Sequence, residues 1–340
     1  MSEVVFPFVG TLFVFCVVLP FSALVTKTAL TALEREAVAG PLGGLHVRYV
    51  LMLASSSLPL AWLVSAGLHQ AESGKTVLAC LFDHHATALC FEPGLFVLAL
   101  VLVSSQRALR VLLRHKPLQA SRGGEYDALL ARVDVLIERH AALRALRGRF
   151  CFDAASDFTL GTEGYLSPRV VVGTAFAAQL DDAALASALG HELEHMRLRD
   201  PLRYMLLDLA LELNPLGRRF LEAHAARWCS AREAQCDREA VCQGCAPLPL
   251  AQAIIEAARP ARKSLVALGT PDTKVLRFRI DMLMAFAERK PTRARFMQPP
   301  ALSFALALLV LTVLLPHRTS TAALDVLHVG IEHTVTFLWN

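Results

Sequence analysis

Uncharged apolar runs constrain this chain more than any other feature of its sequence. Val4 to Thr26 and Tyr49 to Leu68 carry no charged residue. As helices, both are long enough to cross about 30 Å of hydrocarbon at about 1.5 Å per residue. Gly94 to Leu113 is a third run. Its Arg107 and Arg110 lie toward the end and are expected to snorkel to the interface. Phe296 to Pro316 is a fourth, densest from Ala301 to Leu315. Pro7, Pro20 and Pro59 fall within or near span ends, where proline is tolerated. A cleaved signal peptide is the competing reading of the first run, but only Glu3 precedes it and a basic leader is missing.

Composition agrees. Of the 340 residues, 54% are hydrophobic and 19% charged, against about 25% charged in average soluble domains. That balance excludes a disordered chain and disfavours an ordinary soluble enzyme. The net charge of +4 arises from Lys and Arg blocks beside apolar runs. It reads as membrane flanking, with no nucleic-acid footprint. The 8 cysteines are too few for a disulfide scaffold.

Lys and Arg in the connections set the expected orientation. Lys27, Arg35 and Arg48 follow the first run, and Lys75 alone follows the second. Arg107 to Arg122 follow the third, and Arg289 to Arg295 precede the fourth. The alternation places both termini outside and residues 115–295 in the cytoplasm. The expected organisation is three transmembrane helices in 1–114, a cytoplasmic domain in 115–295, a fourth span in 296–316 and a short outside tail in 317–340. Cys80 and Cys90 share the outside loop, where a disulfide can form. His69, His84 and His85 in that loop read as solvated. The tail has apolar residues and Trp339, which suits an interfacial anchor or a sensing element.

The cytoplasmic stretch reads as α+β. Ser121 to Gly124 is a linker, and Glu125 to Leu146 has helical apolar spacing. Short strands are expected at Arg147 to Phe152, Phe158 to Gly161 and Pro168 to Gly173. Asp181-Asp182 caps a helix from Ala183 to about Arg199, and Asp200-Pro201 breaks it by opening the next helix. Asn214-Pro215 ends that apolar helix, and a longer one runs from about Leu216 to Val241.

The chemistry concentrates in His191-Glu192-Leu193-Glu194-His195. Residues four apart share a helix face, so His191 and His195 can hold one metal ion, with Glu192 as the base acting on its water. One zinc ion needs at least one further ligand and an open position. Glu233 on the next long helix can supply the ligand. Asp237, one turn on, can accept from a ligand histidine and fix its tautomer. The bland alternative is two surface histidines beside a solvated acidic helix. Glu194 reads as solvated or salt-bridging. Cys242-Gln-Gly-Cys245 has a spacing open to metal, redox or free-thiol readings.

The strings His191 to Asp200, Asn214-Pro-Leu216 and Arg232-Glu-Ala-Gln-Cys-Asp237, with the order of spans, resemble the BlaR/MecR-type antirepressor metallopeptidases. The resemblance covers roughly residues 1–316. It implies a gluzincin fold, zinc on His191, His195 and Glu233, and Glu192 as base. It also implies that the strand with Arg169, Val170, Val171 and Val172 pairs with a substrate peptide. By the same resemblance the protein is a multi-pass zinc endopeptidase of the bacterial inner membrane. It would cleave a cytoplasmic protein such as a repressor, or itself, on an extracytoplasmic signal or through a sensor partner. Such sensors carry a penicillin-binding domain after the fourth span; here only His317 to Asn340 follow, and no Ser-x-x-Lys string occurs. Two readings compete: a quality-control peptidase of the HtpX or prenyl-protease type, and an inactive adaptor with structural zinc, which needs no Glu192. Homodimerisation is left open.

Overall fold

The computed structural model describes residues 10–36, 44–72, 93–114, 127–153, 160–261 and 273–288. The linker at 121–124, the Cys80 and Cys90 pairing, the fourth span at 296–316 and the tail at 317–340 lie outside these residues. Described residues are mostly helical with one small sheet. They divide into two compact units, one drawn from 1–115 and 206–228, the other from 116–205 and 229–296.

In the first unit a π-helical turn, Val14–Val18, leads into α1, Leu19–Glu36. Helix α2 is Leu45–Glu72, with Pro59 inside it, and α3 is Pro93–Arg114. Among the described residues, two helical stretches are long and apolar enough to cross a membrane, Gly10–Arg35 and Leu45–Val64. Val14, Phe15 and Leu19 pack with Leu60, Leu63 and Leu100. In α3, Arg107 Nη1 donates to the Glu212 carbonyl at 2.9 Å, and the guanidinium lies over the Phe15 ring at 5.3 Å. Arg107 thus has partners inside this unit.

Residues 206–228, expected in the cytoplasmic domain, group instead with α1 to α3. Ser56 Oγ donates to the Ala210 carbonyl at 2.6 Å, and Asn214 Nδ2 donates to the Leu19 carbonyl. Trp228 Nε1 donates to the Leu45 carbonyl at 2.9 Å and stacks on Tyr49 with ring centroids 4.9 Å apart. Apolar side chains of this stretch are buried against other apolar helices, which local spacing could not foretell.

The second unit begins with α4, Asp127–Arg139, and a 3₁₀ turn, Ala141–Leu146. The sequence pattern suggests one helix through Leu146. The break falls at His140, whose φ of −108° and ψ of 104° are extended. It lets Leu143 and Leu146 join the core beside Val133, Leu136 and Ile137, a case of packing overriding propensity. Three strands follow: β1, Phe150–Asp153; β2, Leu160–Glu163; β3, Arg169–Gly173. Strand β1 starts later than expected because Gly148, at φ +69°, turns the chain just before it. The sheet order is β1-β3-β2, with β3 parallel to β1 and antiparallel to β2. Val170, Val171 and Val172 are fully buried.

After the short α5, Thr174–Gln179, comes α6, Asp182–Arg197. Asp181 caps it by accepting from the Ala184 N–H at 2.7 Å. Every residue from Ala184 to Met196 is buried, so α6 is a core helix on all faces. Gly190 permits this: a Cβ there would stand 2.2 Å from Cys245 Sγ. Helices α7, Asp200–Leu213, and α8, Gly217–Cys242, each continue from one unit's residues into the other's. The described chain closes with α9, Pro247–Ala261, and α10, Thr273–Glu288.

Candidate metal centre

Helix α6 presents His191 and His195 one turn apart, both buried. Helix α8 brings Glu233 to them. His191 Nε2 lies 3.3 Å from Glu233 Oε2, and His195 Nε2 lies 3.4 Å from Glu233 Oε1. The two Nε2 atoms are 3.1 Å apart. These three residues could hold a metal ion. Glu233 keeps 33% of its side chain exposed, which leaves the group open on one side.

Each histidine is held from behind by its own aspartate. His191 Nδ1 lies 2.8 Å from Asp237 Oδ1. His195 Nδ1 lies 2.7 Å from Asp200 Oδ2. Both aspartates are fully buried, and each is met by an arginine. Arg279 Nε and Nη2 donate to the two Asp237 oxygens at 2.6 and 2.9 Å. Arg232 Nε donates to Asp200 Oδ2 at 2.8 Å, and Arg203 Nη1 stands 3.6 Å from Asp200 Oδ1. The two braces leave both Nε2 atoms facing Glu233, which fixes orientation at the cost of ordering five charged side chains.

The electrostatics favour positive charge at this point. Burial would raise the Glu233 carboxyl, but His195 and His191 beside it hold it well below the usual carboxylate range. Burial would lower His191, yet Asp237 and Glu233 raise it. Burial would lower His195 too, and Cys236, Glu233 and Asp200 lift it well above the ordinary imidazole value. A site that draws protons onto its histidines is one where a cation replaces them favourably.

Glu192 also lies in α6, buried. Thr162 Oγ1 on β2 donates to Glu192 Oε2 at 2.8 Å. Glu192 lines two cavities. One, of about 340 Å³, is mainly apolar and includes Phe176, Leu250 and Leu276 with His191 and Arg279. The other, of about 230 Å³, is polar and includes Gly161, Thr162, His195, Tyr204 and Glu233. Tyr204 Oη donates to Glu233 Oε1 at 3.5 Å, and burial together with Glu233 pushes the phenol well above its ordinary pKa.

Family models, curated proteins and solved structures were compared with the chain, and none matches.

The structure thus brings His191, Glu192, His195, Glu233 and Asp237 together. It does not bring Arg169, Val170, Val171 and Val172 to a position where they could pair with a peptide. Strand β3 is bonded on both edges, to β1 and to β2, so it has no free edge to offer. The strand that lines the cavities is β2, through Leu160, Gly161 and Thr162. Glu194, expected to be solvated or salt-bridging, pairs with Arg197 but is buried.

Asp200, Arg232, Arg279, Tyr204 and Thr162 were not legible as site residues. Asp200 carried a signal, since it stands five residues beyond His195, but Asp before Pro also reads as a helix opener. Arg279 comes from α10 and has no local signal. A second group, His195, Asp200 and Cys236, also clusters. Burial pushes the Cys236 thiol up to about 11, and Arg232 already claims the Asp200 oxygen, so these residues act as the brace behind His195. Cys242 and Cys245 belong to neither metal-capable group among the described residues, and burial pushes the Cys245 thiol up to about 11.

Proposed function

We propose that this protein is a membrane-embedded zinc endopeptidase of the BlaR/MecR antirepressor type, with His191, His195 and Glu233 as ligands and Glu192 as general base. The observation that carries the reading is the convergence of three ligand atoms next to Glu192. Donors about 2.0–2.1 Å from a tetrahedral zinc stand roughly 3.3–3.4 Å from one another. The two Nε2 atoms are 3.1 Å apart, and each lies 3.3 or 3.4 Å from one of the two Glu233 oxygens, spacings close to that geometry. Two imidazoles and one carboxylate, each histidine backed by an aspartate, are a donor set suited to zinc with one position left for water.

A zinc ion held by His191, His195 and Glu233 would supply Lewis acidity toward a peptide carbonyl and toward water. Glu192 takes a proton from the attacking water and passes it to the leaving amide nitrogen. Thr162 donates to the Glu192 carboxylate at Oε2, so strand β2 both anchors the base and lines the cavity. A substrate peptide adds to β2, an edge strand of the described sheet, in this reading, not to β3. The substrate is a cytoplasmic protein, a repressor or the chain itself, and the enzyme lies in the bacterial inner membrane with both termini outside. The two membrane-length helices support the membrane placement. An intact Glu192 tied to the cavity favours the enzyme over an adaptor with structural zinc.

The deciding experiment is Glu192→Gln in the full chain in detergent. Zinc content should stay at the wild-type level, and zinc-dependent cleavage, of the chain itself or of β-casein, should fall at least a hundredfold. Activity within a few-fold of wild type would sink the mechanism.

A further inference from the structure

The connection between α7 and α8 is held by apolar helices. Asn214 Nδ2 donates to the Leu19 carbonyl, and Ser56 Oγ donates to the Ala210 carbonyl at 2.6 Å. Leu213 packs against the cluster of Phe15, Leu60, Leu63 and Leu100. Leu19 and Ser56 both fall inside the stretches long and apolar enough to cross a membrane. Counting from Gly10, Lys27 is the first charged residue. The stretch from Leu19 to Lys27 covers about 12 Å along α1. Around Leu19, Val17 and Phe21 are 48% and 64% exposed, so in a bilayer this depth of the helix faces hydrocarbon.

The connection is built for such a place. Its polar side chain is Asn214, 2% exposed. Asn214 Oδ1 accepts from the Leu216 N–H at 3.1 Å, and the Asn214 carbonyl accepts from the Gly217 N–H at 3.0 Å. Pro215 has no N–H to satisfy. The surface left outward is apolar: Pro215 is exposed, and Leu213 and Leu216 are half-buried. Non-helical backbone is tolerated at membrane depth only where protein satisfies its polar groups. Gly217 keeps the turn tight, since a Cβ there would stand 2.4 Å from the Leu211 carbonyl oxygen. The charges nearby are paired. Arg218 meets Asp208 and Glu212, and Arg107 and Arg110 of α3 approach Glu212. The Arg110 and Arg218 side chains stay half-exposed, on stems long enough to carry their heads toward lipid headgroups.

From this register we infer that the α7–α8 hairpin is a re-entrant membrane element. It enters the leaflet on the Lys27 side, sets Pro215 and Leu216 against lipid acyl chains, and returns to the side from which it came. The inference rests on the membrane reading of the chain and goes beyond its spans, because the hairpin belongs to none of them. Helix α8, which supplies Glu233, thereby starts inside the bilayer.

The test places p-trifluoromethylphenylalanine at Leu216, and in a second protein at Pro215, in the full chain in phosphatidylcholine–phosphatidylglycerol nanodiscs. Fluorine relaxation is read with dissolved oxygen, which concentrates in hydrocarbon, and with a water-soluble nickel chelate. The same label at Phe21 is the hydrocarbon reference, and at the exposed Glu138 the aqueous one. The oxygen-to-nickel ratio at both tip positions should lie within about threefold of that at Phe21 and at least about tenfold above that at Glu138. Tip ratios equal to that at Glu138, with Phe21 reading as hydrocarbon, overturn the re-entrant hairpin and leave the membrane reading standing. A tip that neither probe reaches is enclosed by protein and overturns the lipid contact as well. If Phe21 itself reads as aqueous, the membrane reading fails and the hairpin with it.

Discussion

Arg232→Met tests whether the brace behind His195 is an obligatory ion pair. The Asp200 carboxylate is fully buried and Arg232 is 1% exposed. Asp200 receives Arg232 Nε at 2.8 Å, the His195 ring at 2.7 Å and a more distant Arg203 at 3.6 Å. Removing one partner of a buried pair costs about 3–5 kcal/mol, because the other charge stays behind uncompensated. Arg203 offers partial relief, so the lower end, about 3 kcal/mol, is expected for Arg232→Met. Asp200→Asn should cost a similar amount by stranding the guanidinium. Replacing both should cost far less than the sum. Arg232 Nη1 and Nη2 have no hydrogen-bond partner among the described residues, so removing the guanidinium also removes two buried donors. The double variant should therefore lie within about 1 kcal/mol of wild type, a coupling of several kcal/mol. The assay is thermal unfolding of EDTA-treated protein at one scan rate, because bound metal would add its own stabilisation. At about 2–4 °C per kcal/mol, each single variant should melt about 6–12 °C lower. Strict additivity of the two substitutions, or an Arg232→Met protein that melts with wild type, would refute the ion-pair argument.

Glu233→Ala should lower zinc occupancy, and Asp237→Asn should cost about 10–100-fold in zinc affinity or activity through His191; equal zinc affinity for all three proteins by chelator competition would remove both assignments. The raised values of His191 and His195 mean that protons compete with the metal. Protonated imidazole cannot ligate, so zinc affinity should climb as pH rises through the neutral range, by about tenfold per unit for each proton displaced; a flat profile from pH 6 to 8 contradicts the competition. Arg199 links α6 to α7 at φ 52°, a left-handed conformation that costs a non-glycine residue about 1–2 kcal/mol. Arg199→Gly should relieve part of that strain against the greater chain entropy of glycine, for a net gain of about 0.5 kcal/mol in unfolding experiments; a clear loss of stability shows that the Arg199 side chain matters more than its backbone.

What the sequence alone determined is local. The i, i+4 spacing of His191 and His195 puts both rings on one face of any helix that contains them, and the Asp181 cap and apolar pattern ensure that helix. The β-branched run at Val170 to Val172 makes a strand, and the runs in 10–35 and 45–64 make long apolar helices, because a few neighbouring residues suffice for each choice. Only the tertiary structure decided which strand is central and which lie at the edges of the described sheet, since strand order is a matter of long-range pairing and not of strand propensity. It also decided that Asp200 turns back to His195, that Arg279 arrives from α10 to hold Asp237, and that Tyr204 reaches Glu233. Arg279 and Tyr204 have no distinguishing neighbour pattern, and Asp200 has only its place five residues beyond His195, which also reads as a helix opener. Their roles come from buried charges that must find partners wherever the packing of distant helices places them, because an unpaired charge cannot stay in a dry core.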